Sequence, residues 1–350
     1  MGSFLLYGAN GYTGTLIARL ASEYGLRPIL AARREEAVKP LADSLNLDYR
    51  VFDLSDSKKL EDTLREVQVV LHAAGPFSQT ARPMIEACIR THTHYLDITG
   101  EIGVFEMAKK FDSAARDAGI MLMPGVGFDV VPTDCLALFL HQQMSDAHHL
   151  KLAFGSVGGG YSRGTAITMA QGAGEKSAER INGVITPVPL GHKGMKVDFG
   201  LKELFVMSIP WGDVSTAFST TGIPNIETYT AASPKTYKML KYQSLFNWIL
   251  RTSMVRKWQI NKIKSGPAGP SDEKRARSKS LVWGEVSNPA GAVLRARLNG
   301  PEGYTLTAHS SLIITRKVVE KNFKSGYQTP AGCYGADLVL EIPGMFREPC

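Results

Sequence analysis

Apolar runs and helical spacing alternate along the first third of the chain. Phe4-Leu5-Leu6-Tyr7 reads as a short buried strand, and residues 15–21 then take up a helical period. Further strands are expected at 27–34, 49–54, 69–74, 94–101 and 120–123. Helical patterns fill the intervals at 35–45, 59–67, 83–90 and 104–118. Regular alternation of this kind predicts a doubly wound parallel sheet. Beyond His149 the pattern changes. Residues 150–154, 196–199, 203–207, 227–230, 280–286 and 291–298 are strand-like, with helices expected over 161–180 and 305–321. A second α/β domain with a mainly antiparallel sheet follows from this half. The glycine- and proline-rich stretch 124–132 reads as the hinge between them, with Thr133 as the N-cap of a helix over 133–144.

The first strand runs into Gly8-Ala9-Asn10-Gly11-Tyr12-Thr13-Gly14. A strand, a glycine turn and a helix N-terminus together form an anion site. The turn lets backbone approach a pyrophosphate, while the helix offers its first N–H groups and its positive dipole end. Gly8, Asn10, Gly11, Tyr12, Thr13 and Gly14 are therefore candidate dinucleotide ligands, in a Rossmann-type domain. The second strand closes on Arg33 and Arg34, where NAD-preferring folds place an acid for the ribose 2′-hydroxyl. An arginine pair suits a 2′-phosphate, so NADP(H) is the expected cofactor. Asp53, ending the third strand, could bind adenine or cap the next helix. Ala74, Gly75, Pro76 and Phe77 follow the fourth strand, across the switch point, and should approach the nicotinamide.

Composition narrows the class. The chain has 350 residues, enough for two domains, and no apolar run near the roughly 18 residues of a membrane span. Its N-terminus enters a strand directly, with no leader pattern. Four cysteines without paired spacing suit a reducing, cytoplasmic compartment. The histidine pairs 92/94 and 148/149 lack the partners of a zinc site, so no metal is expected. Net charge is +7, but residues 229–270 hold eight bases and no acid, which leaves the rest close to neutral. That distribution argues against general nucleic-acid binding. Within the same segment Leu245, Phe246, Trp248, Ile249, Leu250, Met254, Val255 and Trp258 interleave with Arg251, Arg256 and Lys257. Such a stretch could lie on a membrane or receive an acyl carrier; it could equally pack as helices with a solvated basic face.

Four motifs in order carry a family resemblance: the glycine turn at 8–14, Ala73-Ala74-Gly75-Pro76-Phe77, Tyr95-Leu96-Asp97-Ile98-Thr99-Gly100-Glu101, and Gly127-Phe128-Asp129-Val130-Val131-Pro132-Thr133-Asp134. With Ser162-Arg163-Gly164-Thr165 and Gly326-Tyr327-Gln328-Thr329-Pro330, the chain resembles the saccharopine dehydrogenase-like oxidoreductases. Within them it is similar to the trans-acting enoyl reductase branch. The resemblance implies a Rossmann domain over 1–132 carrying NADP(H), with 328–350 packing back on it, and a substrate domain over 133–327. It also implies a reductase, whose reaction differs among members from reductive amination to imine and acyl-chain double-bond reduction, and, for some members, lipid droplets or membranes.

Hydride transfer needs a polarised acceptor and often a proton donor. Asp97 and Glu101, flanking the exit of the fifth strand, and Asp129, at the hinge just before a helix, are the candidate donors, and each could instead bind a backbone N–H. Tyr161 and Arg163 are the candidates from the second domain; Arg163 could orient a substrate carbonyl or neutralise a buried acid such as Asp129. The expected activity is NADP(H)-dependent reduction of a C=C or C=N bond in a hydrophobic or carrier-bound substrate. Saccharopine-type reductive amination and a non-catalytic, lipid-associated NADP-binding scaffold are the alternatives, and homodimer formation is left open.

Overall fold

A computed structural model describes the chain except Met1, Ala173, residues 242–246, Arg251 and Cys350. It divides into two compact units, one formed by 1–131 with 303–334 and the other by 132–302 with 335–350. This differs from the sequence expectation at the C-terminal end. The helix Gly303–Val319 already belongs to the first unit, and residues 335–350 join the second because Phe346–Pro349 adds an edge strand there.

The first unit holds strands β1 (Gly2–Tyr7), β2 (Leu26–Ala32), β3 (Tyr49–Val51), β4 (Val69–His72), β5 (His94–Asp97), β6 (Met121–Met123) and a short β15 (Gly326–Tyr327). Their spatial order is β3-β2-β1-β4-β5-β6-β15, and every pair is parallel. The order reverses between β1 and β4, which makes the crevice at their C-terminal ends the expected ligand site. β4 is buried along its whole length, as its unbroken apolar run Val69-Val70-Leu71 demands for a central parallel strand. The sheet and the helix Phe77–Thr91 share a core of Leu5, Val70, Met84, Ile85, Tyr95 and Leu122. The single helix expected over 104–118 is two, Ile102–Lys109 and Asp112–Asp117.

The second unit holds β7 (His149–Val157), β8 (Ser177–Ile181), β9 (Val184–Val188), β10 (Gly194–Asp198), β11 (Glu203–Ser208), β12 (Asn225–Ala231), β13 (Lys279–Ser287), β14 (Val293–Pro301) and β16 (Phe346–Pro349). All pairings are antiparallel except β12 with β7. The mainly antiparallel sheet agrees with the sequence reading. The helix expected over 161–180 is shorter, Arg163–Gln171, and β8 takes its last part. The helix Val131–Gln143 starts before Thr133, which is therefore inside it and not its cap. It packs on β13 at Gly284, where any Cβ would lie 2.8 Å from a Leu140 methyl.

Candidate functional site

Three glycines shape the turn after β1, each for a steric reason. Gly8 has φ +88°, and a Cβ there would meet the Ala73–Ala74 backbone at 2.8 Å. A Cβ on Gly14 would strike the Gly8 carbonyl oxygen at 2.3 Å. Gly11 donates its N–H to that same oxygen at 3.0 Å and serves as N-cap of the helix Tyr12–Leu20. This helix has no side-chain cap and no acid in its first turn, so its positive end carries no competing carboxylate. Asn10 is exposed and Gly11, Tyr12 and Thr13 are partly so. The turn fits a pyrophosphate.

Arg33 and Arg34 follow β2 in the open. Arg34 leans toward Glu36 at 3.7 Å, whereas Arg33 has no ion pair among the described residues. Arg33 lies within electrostatic reach of Asp53 and helps hold that carboxyl below its ordinary range. The larger cause there is the Asp53 bond from the Ser55 N–H. Asp53 accepts from the Ser55 N–H at 3.0 Å and its hydroxyl at 2.8 Å. It does not cap the next helix; Asp56 does, accepting from the Lys59 N–H at 3.1 Å.

Beyond β4, Ala74 to Phe77 leads into the helix Phe77–Thr91. Glu101 crosses from the end of β5 to cap this helix, accepting from the Phe77 and Ser78 N–H groups at 2.9 and 3.1 Å. His72, at the end of β4, is fully buried and its pKa is pushed down to about 3 by that burial. Its Nε2 lies 2.9 Å from the Thr80 hydroxyl, so it is a neutral packing residue.

The two acids expected near the reacting centre differ in their surroundings. Asp97 is buried with its partners in place: Oδ1 accepts from the Thr99 and Gly125 N–H groups, both at 2.9 Å, and Oδ2 from the Tyr95 hydroxyl at 2.6 Å. Burial outweighs these bonds and raises its pKa to about 6. The structure gives Asp97 a stitching job between the ends of β5 and β6, not a free carboxyl for proton transfer. Asp129 lies in the turn after β6. Its carboxyl packs against Gly100, where a Cβ would come within 2.7 Å of Oδ2. It has no hydrogen-bond or salt-bridge partner among the described residues, and burial pushes its pKa up to about 7.

The helix Gly303–Val319 holds that turn, and sequence reasoning missed its part. Thr307 accepts from the Phe128 N–H at 3.0 Å, and Ser310 donates to the Val126 carbonyl at 2.8 Å. Tyr304 meets Tyr12 edge-on, with ring centroids 5.0 Å apart. Thr307 and Ser310 do not stand out in the sequence, because the same helix also carries Thr305, His309, Ser311 and Thr315.

Tyr161 and Arg163 belong to the second unit. Tyr161 is exposed, just before the helix Arg163–Gln171. Arg163 donates from its guanidinium to the Gly266 carbonyl at 2.6 Å, so part of this group is spent on a loop.

Residues 4–123 match the family described as saccharopine dehydrogenase NADP binding domain. Among curated relatives, a trans-acting enoyl reductase of Mycobacterium leprae is 34% identical over 151 residues, covering 40% of this chain and 35% of that protein. A saccharopine dehydrogenase-like oxidoreductase of Mus musculus is 26% identical over 238 residues, covering 59% and 56%. The chain thus spans about half the length, or less, of these relatives. Among solved structures, apo saccharopine dehydrogenase (L-Glu forming) from Saccharomyces cerevisiae matches with a TM-score of 0.70 at 12% identity, covering 100% of both chains. That likeness is one of fold. The first unit is a saccharopine dehydrogenase-type NADP-binding domain, and NADP(H) is its cofactor.

Proposed function

We propose that the protein is an NADP(H)-dependent reductase acting on a C=C or C=N bond of a hydrophobic or carrier-bound substrate, with Asp129 as the proton donor. The observation that carries this reading is Asp129 itself. It is a carboxyl without a hydrogen-bond or salt-bridge partner among the described residues, with its pKa near 7, at the C-terminal edge of a parallel sheet in an NADP-binding domain. A general acid works best when its pKa lies near the operating pH. The relative named as a trans-acting enoyl reductase supports a C=C acceptor first.

Bound NADPH supplies the hydride. The glycine turn and the open end of the helix Tyr12–Leu20 would receive the pyrophosphate, and Arg33 and Arg34 the 2′-phosphate. Ala74 to Phe77 would hold the nicotinamide end. Asp129 gives its proton to the acceptor atom that does not take the hydride, and regains one from solvent. Tyr161, exposed on the second unit, is the candidate substrate contact there. Reductive amination would need cationic groups for several carboxylates, and Arg163 is already engaged with Gly266. The free thiols Cys88, Cys135 and Cys333 support a cytoplasmic location, which cell fractionation checks.

The test is NADPH oxidation over a panel of enoyl and imine substrates, with wild type and Asp129→Asn side by side. Turnover of an enoyl substrate that Asp129→Asn lowers by roughly a hundredfold supports the assignment. NADPH binding without turnover of any substrate favours the scaffold reading, and full turnover by the variant moves the proton to another group.

A further inference from the structure

We propose that the outward face of the helix Ser253–Lys264, with Trp248, binds the anionic headgroup layer of a lipid surface. The helix has two faces. Val255, Arg256, Gln259, Ile260 and Ile263 are half-buried, and Arg256 is drawn sideways onto Glu175 at 2.6 Å. The opposite positions Met254, Lys257, Trp258 and Lys262 are exposed. Their spacing of three and four residues aligns them on one stripe.

Exposed apolar residues scattered singly are ordinary, so concentration and size decide. Met254 is 80% exposed, Trp248 73% and Trp258 63%. Trp283 is buried and Trp211 half-buried, so both exposed tryptophans of the chain stand ten positions apart on this one segment. Lys262 holds its ammonium 5.6 Å from the Trp258 ring. Charge selects the partner: residues 229–270 carry eight bases and no acid. An acidic soluble protein would satisfy that charge but leave the indoles and thioether without an apolar phase. A headgroup layer satisfies both, because indoles settle at the interface while lysines reach the phosphates. No helix among the described residues is long and apolar enough to cross a membrane, so the contact proposed is peripheral. Leu245, Phe246 and Arg251 of this segment lie outside the described residues.

The test is co-sedimentation of the full chain with phosphatidylcholine vesicles, with and without about one-third phosphatidylserine, at low and high salt. We expect binding to the anionic vesicles only, weakened by salt, with a blue shift of tryptophan emission. Lys257→Glu/Lys262→Glu should weaken it at least tenfold, and Trp248→Ala/Trp258→Ala should remove the blue shift. Retained NADPH binding by both variants shows that they are folded, and it keeps this result separate from that of the reductase assay. Failure of the wild type to bind anionic vesicles overturns the proposal. Equal binding by the charge-reversed variant does so too. If the wild type instead binds an acidic carrier protein, or self-associates through these residues, the face belongs to that partner and the proposal falls.

Discussion

The end of β5 and the turn after β6 each hold a carboxylic acid whose pKa burial has raised, to about 6 at Asp97 and about 7 at Asp129. By that measure alone they are equivalent. Their partners separate them. Asp97 accepts from two backbone N–H groups and one tyrosine hydroxyl, and everything it touches belongs to the architecture of the sheet edge. Asp129 faces Gly100 and accepts nothing from the described residues. A perturbed pKa marks a candidate, and the inventory of donors decides whether the group is a rivet or a reagent.

The sharpest way to break this contrast is to truncate the rivet. Asp97→Ala leaves the Thr99 and Gly125 N–H groups and the Tyr95 hydroxyl without their acceptor in a buried place. At about 1–3 kcal/mol for each unsatisfied group, the loss is on the order of 5 kcal/mol, enough to threaten folding. Asp97→Asn keeps an oxygen for both N–H groups and lets the Tyr95 hydroxyl accept in turn, so it should cost roughly 1 kcal/mol. Denaturant unfolding measures both. A mild Asp97→Ala would mean that the three bonds do not stitch the edge together.

Asp129→Asn should do the reverse. It removes no hydrogen bond among the described residues, so stability at pH 5 should hardly change. Turnover should fall by roughly a hundredfold, the low end for a general acid. The cofactor dissociation constant should stay within about twofold, because that binding energy resides in the glycine turn and the arginines. In the wild type, activity should decline as pH rises through about 7, when the carboxyl loses its proton. A variant that keeps this decline would show that another group titrates there.

Stability against pH offers a smaller but independent test. Both acids have folded-state pKa values above their ordinary ones, so the folded chain holds more protons between about pH 4 and 7. Their contribution is therefore fully present at low pH and lost as pH rises through 6 and 7. Asp129→Asn is spared the burial of a charge, so its Tm should exceed that of wild type at pH 8 by a few degrees and converge with it near pH 5. An unchanged difference across this range would mean that Asp129 ionises as freely as a surface acid.

The contrast between these acids could not be read from the chain. Both stand just past apolar runs, among glycines, and local pattern says the same of each. What distinguishes them is long-range. Asp97 Oδ1 is filled by Gly125, 28 positions away, and the turn bearing Asp129 is pinned by Thr307 and Ser310, about 180 positions away. The parallel sheet was legible because its strands are buried on both faces and separated by complete helices. So was the glycine turn, whose steric demands are local. Beyond residue 160 the reading weakened. Residues 177–180 carry a helical pattern, since Glu179 and Arg180 suit helical propensity, yet pairing with β9 and β12 overrides it. Arg163 misled for a related reason: a guanidinium advertises a carboxylate partner, while its bond goes to the Gly266 carbonyl.

The mildest contrast lies between neighbours. Arg33 and Arg34 read alike as a 2′-phosphate clamp, but Arg34 already leans on Glu36 and opens the helix Glu35–Leu45 as its N-cap. Arg33 stands on the side of Asp53 and Tyr7, where the ribose of a dinucleotide laid along the β1–β2 edge would come. Arg33→Ala should therefore lower the preference for NADPH over NADH by about tenfold, the worth of one charge-assisted pair, and Arg34→Ala by only about twofold. Cofactor titration followed by fluorescence gives both ratios. Equal losses would make the pair a true clamp, with Arg34 leaving Glu36 to join it. A loss confined to Arg34 would place the phosphate on the helix side of the turn and assign Arg33 to holding Asp53.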